Sequence, residues 1–116
     1  MRAKGGFKSR RRRKRILKMA KGYWGARRKL YAVARETVDH ALAYAFVGRK
    51  QRKRQFRSLW IVRLNAALRP LDITYSRFIN GLKHANIDLD RRVLAELAMN
   101  DPTAFQAVVD VVKQHV

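Results

Sequence analysis

"ARRKLYAVARETVDHALAYAFVGRKQRKRQFRSLWIVRLNAALR", residues 26–69, decides the fold. No proline occurs in it, and its one glycine is Gly48. Leu30, Ala34, Val38, Ala41, Leu42 and Ala45 recur in steps of three and four residues, the spacing of a single helical stripe. The stretch therefore predicts one very long helix from about 26 to 69, with Gly48 the place for any bend. Such a helix is marginal in isolation despite its length, because like charges crowd residues 49–57 and repel along its surface.

Beyond it, Pro70 closes the long helix and a compact helical unit follows. Tyr75, Phe78, Ile79 and Leu82 share one face, and Asn86 supplies a stop. Asp90 is placed to cap a helix over 91–99 that turns Val93, Leu94 and Leu97 inward. Asp101-Pro102 is a strong start signal, an acceptor at the N-cap followed by proline at the first helical position. Phe105, Val108, Val109 and Val112 then give a last amphipathic helix. Together with Leu59, Trp60, Ile61, Leu64 and Leu68 from the end of the long helix, these make four packed helical pieces. A unit of about 60 residues stands near the lower limit for independent folding.

In the other direction the order is reversed, with charge and no core. Gly5-Gly6 permits an irregular start, and Lys8 to Lys21 is rich in helix formers, predicting a helix over about 8–21. Gly22 and Gly25 bracket Tyr23-Trp24, which reads as a break with a change of direction. "KSRRRRKR", residues 8–15, holds six consecutive cations from Arg10 to Arg15. No regular structure gives that run an apolar side to bury, so it needs a partner bringing negative charge from several sides. The fold class expected is all-α: a long basic helical extension over 1–58, followed by a small helical domain over 59–116.

The charge follows the same division. The 116 residues carry a formal net charge of +20, from 28 Lys and Arg against 8 acids. Residues 1–69 hold 23 of the cations and 2 acids, a net of +21, while residues 70–116 hold 5 and 6, a net of −1. A compact domain of this size self-repels at such charge unless counter-ions neutralise it. Nucleic acid, an anionic membrane or a strongly acidic protein could supply them. The membrane fails, because the basic segments have no adequate apolar face. The longest apolar run, Ala41 to Val47, is seven residues, far short of a span. After the Arg-rich segment only Ile16 and Leu17 precede Lys18, so no signal-peptide hydrophobic region follows it. These features predict a soluble, intracellular protein.

Chemistry of catalytic type is weakly represented. There is no cysteine, and the three histidines lack a metal-binding spacing. Glu36 and His40 stand four apart beside Asp39 without a nucleophile or a third orienting group, which reads as an intrahelical contact. His84 and His115 stand alone, and no Gly-rich phosphate loop is present. No enzyme, cofactor, metal site or small-molecule substrate is expected. Basic residues mixed with aromatics are the dominant signal instead. On a helix, Arg49, Lys50, Arg52, Lys53, Arg54 and Arg57 project over about 200°, wider than one DNA groove requires and suited to threading between the backbones of a folded RNA. With 18 Arg against 10 Lys, planar donor forks able to bridge phosphates or stack on bases predominate. Tyr23 and Trp24 read either as a stacking platform for unpaired bases or as packing against neighbouring helices. Trp60, in an apolar run, reads as packing. A DNA-binding rival remains, in which the helices of 75–99 act as a helix-turn-helix, the stretch "FINGLKHANIDLDRRVLAELA" having that rhythm with Arg91-Arg92 opening the second helix. Its near-neutral charge speaks against it.

Three strings carry a resemblance: "GYWGARRKLYAVARETV", "RKRQFRSLWIVRLNAALR" and "YSRFINGLKHANIDLDRRVLAELA". They closely resemble the family of bacterial large-subunit ribosomal proteins numbered twenty, and the likeness runs in order from the N-terminus to the last helix. The resemblance implies large-subunit ribosomal RNA as the partner, with the extension inside the RNA and the helical domain nearer the subunit surface. It further implies neighbouring large-subunit ribosomal proteins as contacts, an early role in subunit assembly, and a cytoplasmic location in the ribosome. In some members the tail-end domain also binds its own messenger RNA and represses translation. On this reading the RNA contacts are Arg2, Lys4, Lys8, Arg10, Arg11, Arg12, Arg13, Lys14, Arg15, Lys18 and Lys21. Tyr23, Trp24, Arg27, Arg28, Lys29, Arg49, Lys50, Arg52, Lys53, Arg54 and Arg57 continue the set through the long helix. Asn80, Gly81 and Lys83 extend it into the helical domain, with ordinary helix surface, and close helix packing at Gly81, as the alternative. Metal ligands are not expected.

Overall fold

The computed structural model describes residues 1–116, and every regular element in it is helical. Helix α1 spans Lys8–Met19 and a 3₁₀ turn follows at Gly25–Arg28. Helix α2 spans Tyr31–Leu68, 38 residues, and a second 3₁₀ turn occupies Arg69–Leu71. Helices α3 (Tyr75–His84), α4 (Arg91–Asn100) and α5 (Pro102–Lys113) complete the chain. The chain divides into two compact units, Met1–Lys50 and Gln51–Val116. Their boundary falls inside α2, eight residues ahead of the expected one at 58/59.

The long helix is present but starts later than the sequence predicts. Residues 26–28 form the tighter 3₁₀ turn, and regular helix begins only at Tyr31. Gly25, at φ +61°, puts the backbone in the left-handed region immediately before it, so the chain must change direction first. Gly22, at φ +87°, does the same at the end of α1, which stops at Met19 rather than Lys21. Helix α2 runs through Gly48 without interruption. At its far end the helix narrows to a 3₁₀ turn around Pro70, and Asp72 at φ +55° completes the stop.

The second unit is built as an ordinary hydrophobic core. Leu64, Leu68, Ile73, Phe78, Leu82, Leu94, Ala95, Phe105, Val109 and Val112 are buried together, with Trp60, Tyr75, Ile79 and Leu97 packed around them. The rings of Phe78 and Phe105 meet tilted at 5.9 Å between centroids, the favoured arrangement for an aromatic pair. Each short helix is capped at its start. Thr74 Oγ1 accepts from the Arg77 amide at 3.4 Å, Asp90 Oδ1 from Val93 at 2.8 Å and Asp101 Oδ1 from Ala104 at 3.1 Å. Caps of this kind are worth about 0.5–2 kcal/mol each. Asn86, at φ +54°, turns the chain out of α3 in the left-handed conformation that asparagine tolerates. Two expectations fail in detail. Val93 and Leu59 are exposed, while Ala95, on the adjoining face of α4, is buried. Arg91, Leu94, Ala95 and Ala98 stand at i, i+3, i+4 and i+7, so the face that α4 turns inward includes Ala95 and leaves Val93 outside it.

The first unit has scarcely any core. Its buried residues are Ala20, Ala34 and Val38, flanked by half-buried Ile16, Leu17 and Tyr23. Helix α1 buries nothing of its own. Of the stripe read from the sequence, only Ala34 and Val38 are buried. Leu30, just ahead of α2, is exposed, and past half-buried Ala41 so are Leu42 and Ala45, where the small first core no longer covers the stripe.

Candidate RNA interface

Every cation of the expected RNA-contact set lies on the surface. Arg2, Lys4, Lys8, the run Arg10 to Arg15, Lys18, Lys21 and Arg27 to Lys29 are all exposed, as are Arg49, Lys50, Arg52, Lys53, Arg54 and Arg57. None is neutralised within the chain. The only Lys or Arg ion pair is Arg92 with Glu96 at 3.4 Å, while the His40 ring stands 4.0 Å from the Glu36 carboxylate, both at i,i+4 on exposed helix faces. The second confirms that Glu36 and His40 form an intrahelical contact. A surface pair of this type contributes little.

Several cations rest on aromatic faces instead. Arg11 lies 4.0 Å from the Phe7 ring centre, Lys50 5.4 Å from Phe46 and Arg52 5.4 Å from Phe56, each four residues from its ring. Arg13 of α1 lies 5.2 Å from the Tyr31 ring of α2. Phe7, Phe46 and Phe56 were not singled out from the sequence; their signal is the aromatic placed four residues from a cation on a helix.

Residues 42 to 59 are all exposed, Leu42, Tyr44, Phe46, Val47 and Phe56 among them. At a rise of about 1.5 Å per residue this is about 27 Å of bare helix. Since the helix is regular from 49 to 57, the six cations there fan over about 200° of its circumference. A polyanion touching from one side meets only part of that fan, while phosphate backbones on several sides meet all of it.

The structure separates Tyr23 from Trp24. Tyr23 is half-buried against Ala20, Ala34 and Val38, the packing alternative. Trp24 is 88% exposed, presented by a backbone that is left-handed on both sides of it, at Gly22 and Gly25. Two left-handed residues that only glycine adopts without strain hold an indole in open solvent. In the second unit Asn80 and Lys83 are exposed on α3. Gly81 is buried, and a Cβ built there would stand 2.5 Å from Val112 Cγ1. Close packing of α3 on α5 therefore accounts for Gly81.

The helix-turn-helix reading finds no support in the geometry. Helices α3 and α4 are joined by residues 85–90, longer than the three- or four-residue turn of that motif. Arg91 Nε, at the start of α4, donates to the Tyr75 hydroxyl at 2.6 Å and is partly buried. No group of three or more His, Cys, Asp or Glu is placed to hold a metal ion, and no helix is long and apolar enough to cross a membrane.

Comparison with known proteins agrees with the arrangement. Residues 2–108 match the family described as Ribosomal protein L20. The chain is 57% identical over 114 residues to the large ribosomal subunit protein bL20 of a Thermoanaerobacter species, covering 98% of this chain and 96% of the relative. It is 60% identical over 111 residues to bL20 of Desulfosudis oleivorans, 96% of each chain. With bL20 of Trichlorobacter lovleyi it shares 57% over 112 residues, 97% of this chain and 96% of that one.

Proposed function

The chain belongs to the ribosomal protein L20 family, and from that membership we propose that it binds large-subunit ribosomal RNA directly and helps converging RNA helices to close early in subunit assembly. It is a structural constituent of the large ribosomal subunit and not an enzyme. Its place is the cytoplasmic ribosome, beside other proteins of the large subunit. The observation that carries the finer reading is the exposed helix from 42 to 59, whose six cations between Arg49 and Arg57 meet no carboxylate within the chain. RNA phosphates supply the missing partner. Each neutralised phosphate releases condensed counter-ions and removes repulsion between RNA helices that must approach one another.

Functionally the RNA-penetrating part runs to residue 58, because Arg52, Lys53, Arg54 and Arg57 continue the basic fan past Lys50. Trp24 is the stacking residue, and Asn80 and Lys83 give the helical domain a second, smaller contact. That domain has its own core and little net charge, so it can meet an RNA without the extension. Self-repression through the protein's own messenger RNA, where it operates, belongs to this unit.

Competition binding tests the reading. At fixed salt a folded large-subunit ribosomal RNA fragment should outcompete duplex DNA of equal charge by about a hundredfold or more, roughly 2.7 kcal/mol. Loose duplex binding by electrostatics alone is compatible with this. Equal competition by the two would refute it.

A further inference from the structure

The first unit holds two acids among its cations, Glu36 and Asp39. A carboxylate on a surface that meets phosphates works against binding, so Glu36 needs a role of its own. It lines an open groove of about 520 Å³ on α2, together with Arg27, Val33, Thr37, His40 and Tyr44. That volume lies within the range of small-molecule sites. Its walls are chemically mixed. Val33 and the Tyr44 ring, 71% exposed, give apolar surface. Thr37 Oγ1 donates to the Val33 carbonyl at 2.8 Å, so its remaining capacity is that of an acceptor. The His40 ring stands 4.0 Å from the Glu36 carboxylate, and the Arg27 guanidinium closes the groove from the 3₁₀ turn.

We propose that this groove receives the base of an unpaired guanosine in RNA, its Watson–Crick edge on Glu36 and its phosphate on Arg27. The proposal rests on the RNA-binding reading above. An ionised carboxylate only accepts hydrogen bonds, through two oxygens side by side. Guanine alone among the four bases presents two adjacent donors on that edge, N1–H and the 2-amino group. Adenine and cytosine each pair one amino donor with a ring nitrogen acceptor, which would face the second carboxylate oxygen lone pair to lone pair. Uracil has one donor between two acceptors. Unpaired RNA bases are generally read in this way, stacked on an aromatic or guanidinium plane and hydrogen-bonded along the exposed edge. The Tyr44 ring offers the groove a stacking surface, and the Glu36 carboxylate is its only anionic acceptor.

The test uses the full chain and single-stranded oligouridine RNAs with one central guanosine, inosine, adenosine or cytidine, compared at fixed salt. The guanosine oligomer should bind about tenfold tighter than the others. Inosine, which lacks only the 2-amino group, should fall with adenosine and cytidine. Glu36→Ala should bring the four to within about twofold of one another, without weakening the binding of plain oligouridine. Glu36 is 77% exposed, so the fold does not depend on it. Glu36→Gln supplies one donor and one acceptor and should shift the preference from guanosine toward adenosine and cytidine, each of which sets an amino donor beside a ring-nitrogen acceptor. Equal binding of guanosine and inosine by the parent, or a guanosine preference that survives Glu36→Ala, overturns the proposal. Protection of the groove by a large-subunit protein and not by RNA overturns it too. These outcomes leave RNA binding itself standing. That reading fails separately, if folded large-subunit RNA and duplex DNA compete equally.

Discussion

Replacing Gly81 by Ala should weaken the second unit, although the same change in most helix interiors strengthens a protein. The added Cβ would stand 2.5 Å from Val112 Cγ1, 2.6 Å from Val116 Cγ2 and 3.2 Å from the Val112 carbonyl oxygen. Val116, at the chain end and 55% exposed, can turn aside. Val112 cannot, since it is fully buried in the core and its carbonyl belongs to the backbone of α5. Helices α3 and α5 must therefore move apart. Overpacking of this kind costs about 1–3 kcal/mol, against which alanine returns up to about 1 kcal/mol of helix propensity. A net loss of about 1–2 kcal/mol is expected, lowering Tm by about 5–15 °C for a unit of this size. The readout is Trp60 fluorescence during urea or thermal unfolding, in a Trp24→Phe background that leaves Trp60 as the single tryptophan. Trp60 packs on the core in question and so reports on it. Gly48→Ala is the control. It lies in open helix with nothing within 4 Å and should raise helicity by circular dichroism, at a gain of about 0.5–1 kcal/mol. A Gly81→Ala protein as stable as its parent would show that α3 and α5 do not approach this closely.

Ala at Arg49, Arg52 and Arg54 together should weaken binding to many RNAs and flatten the dependence of log K on log salt by about 2–3 units; an unchanged slope would mean these side chains do not reach phosphates. Trp24→Ala should cost about 1–3 kcal/mol of RNA affinity, the worth of one stacked base, with no change in thermal stability. Tyr23→Ala should disturb the ordering of the first unit as well, because its ring packs on Ala20, Ala34 and Val38. Indistinguishable effects of the two would refute their separation. In RNA-free protein at moderate salt, amide hydrogens of residues 1 to about 55 should exchange fast while those of α3, α4 and α5 stay protected. Comparable protection in both parts would contradict the contrast between three buried residues and ten.

What the sequence made legible is what depends on local rules. The caps at Asp90 and Asp101 follow from side-chain chemistry at fixed offsets, and the left-handed stop at Asn86 from the tolerance of its side chain. The charge division and the exposure of the basic set follow from composition, since cations without acids near them have no interior to enter. What resisted reading depends on which neighbour a face meets. The stripe from Leu30 to Ala45 is a correct helical pattern, yet burial stops at Ala41 because nothing in the chain covers the rest. Ala95 is buried and Val93 is not, the reverse of what hydrophobicity suggests, because Ala95 shares the inward face of α4 with Leu94 and Val93 does not. Tyr23 and Trp24 are adjacent and chemically alike. Only the paired left-handed glycines, a three-dimensional fact, send one inward and the other out.

The thinness of the first core bears directly on how the protein would act in assembly. Two alanines and a valine cannot offset the entropy of ordering fifty residues, which costs on the order of 1–2 kcal/mol per residue for the backbone alone. Adjacent cations add repulsion to that cost. On the proposed reading the deficit is made up by RNA, and only by RNA whose backbones already lie on several sides of residues 49–57. An open RNA strand meets part of the 200° fan; a closed junction meets all of it. The protein must then bind the closed junction more tightly than the open one, and by linkage it stabilises the closed form by the same factor. Replacing the extension with a rigid, self-sufficient domain of equal charge would keep the affinity but narrow that ratio. The absence of a core is thus the feature that couples protein ordering to RNA closure.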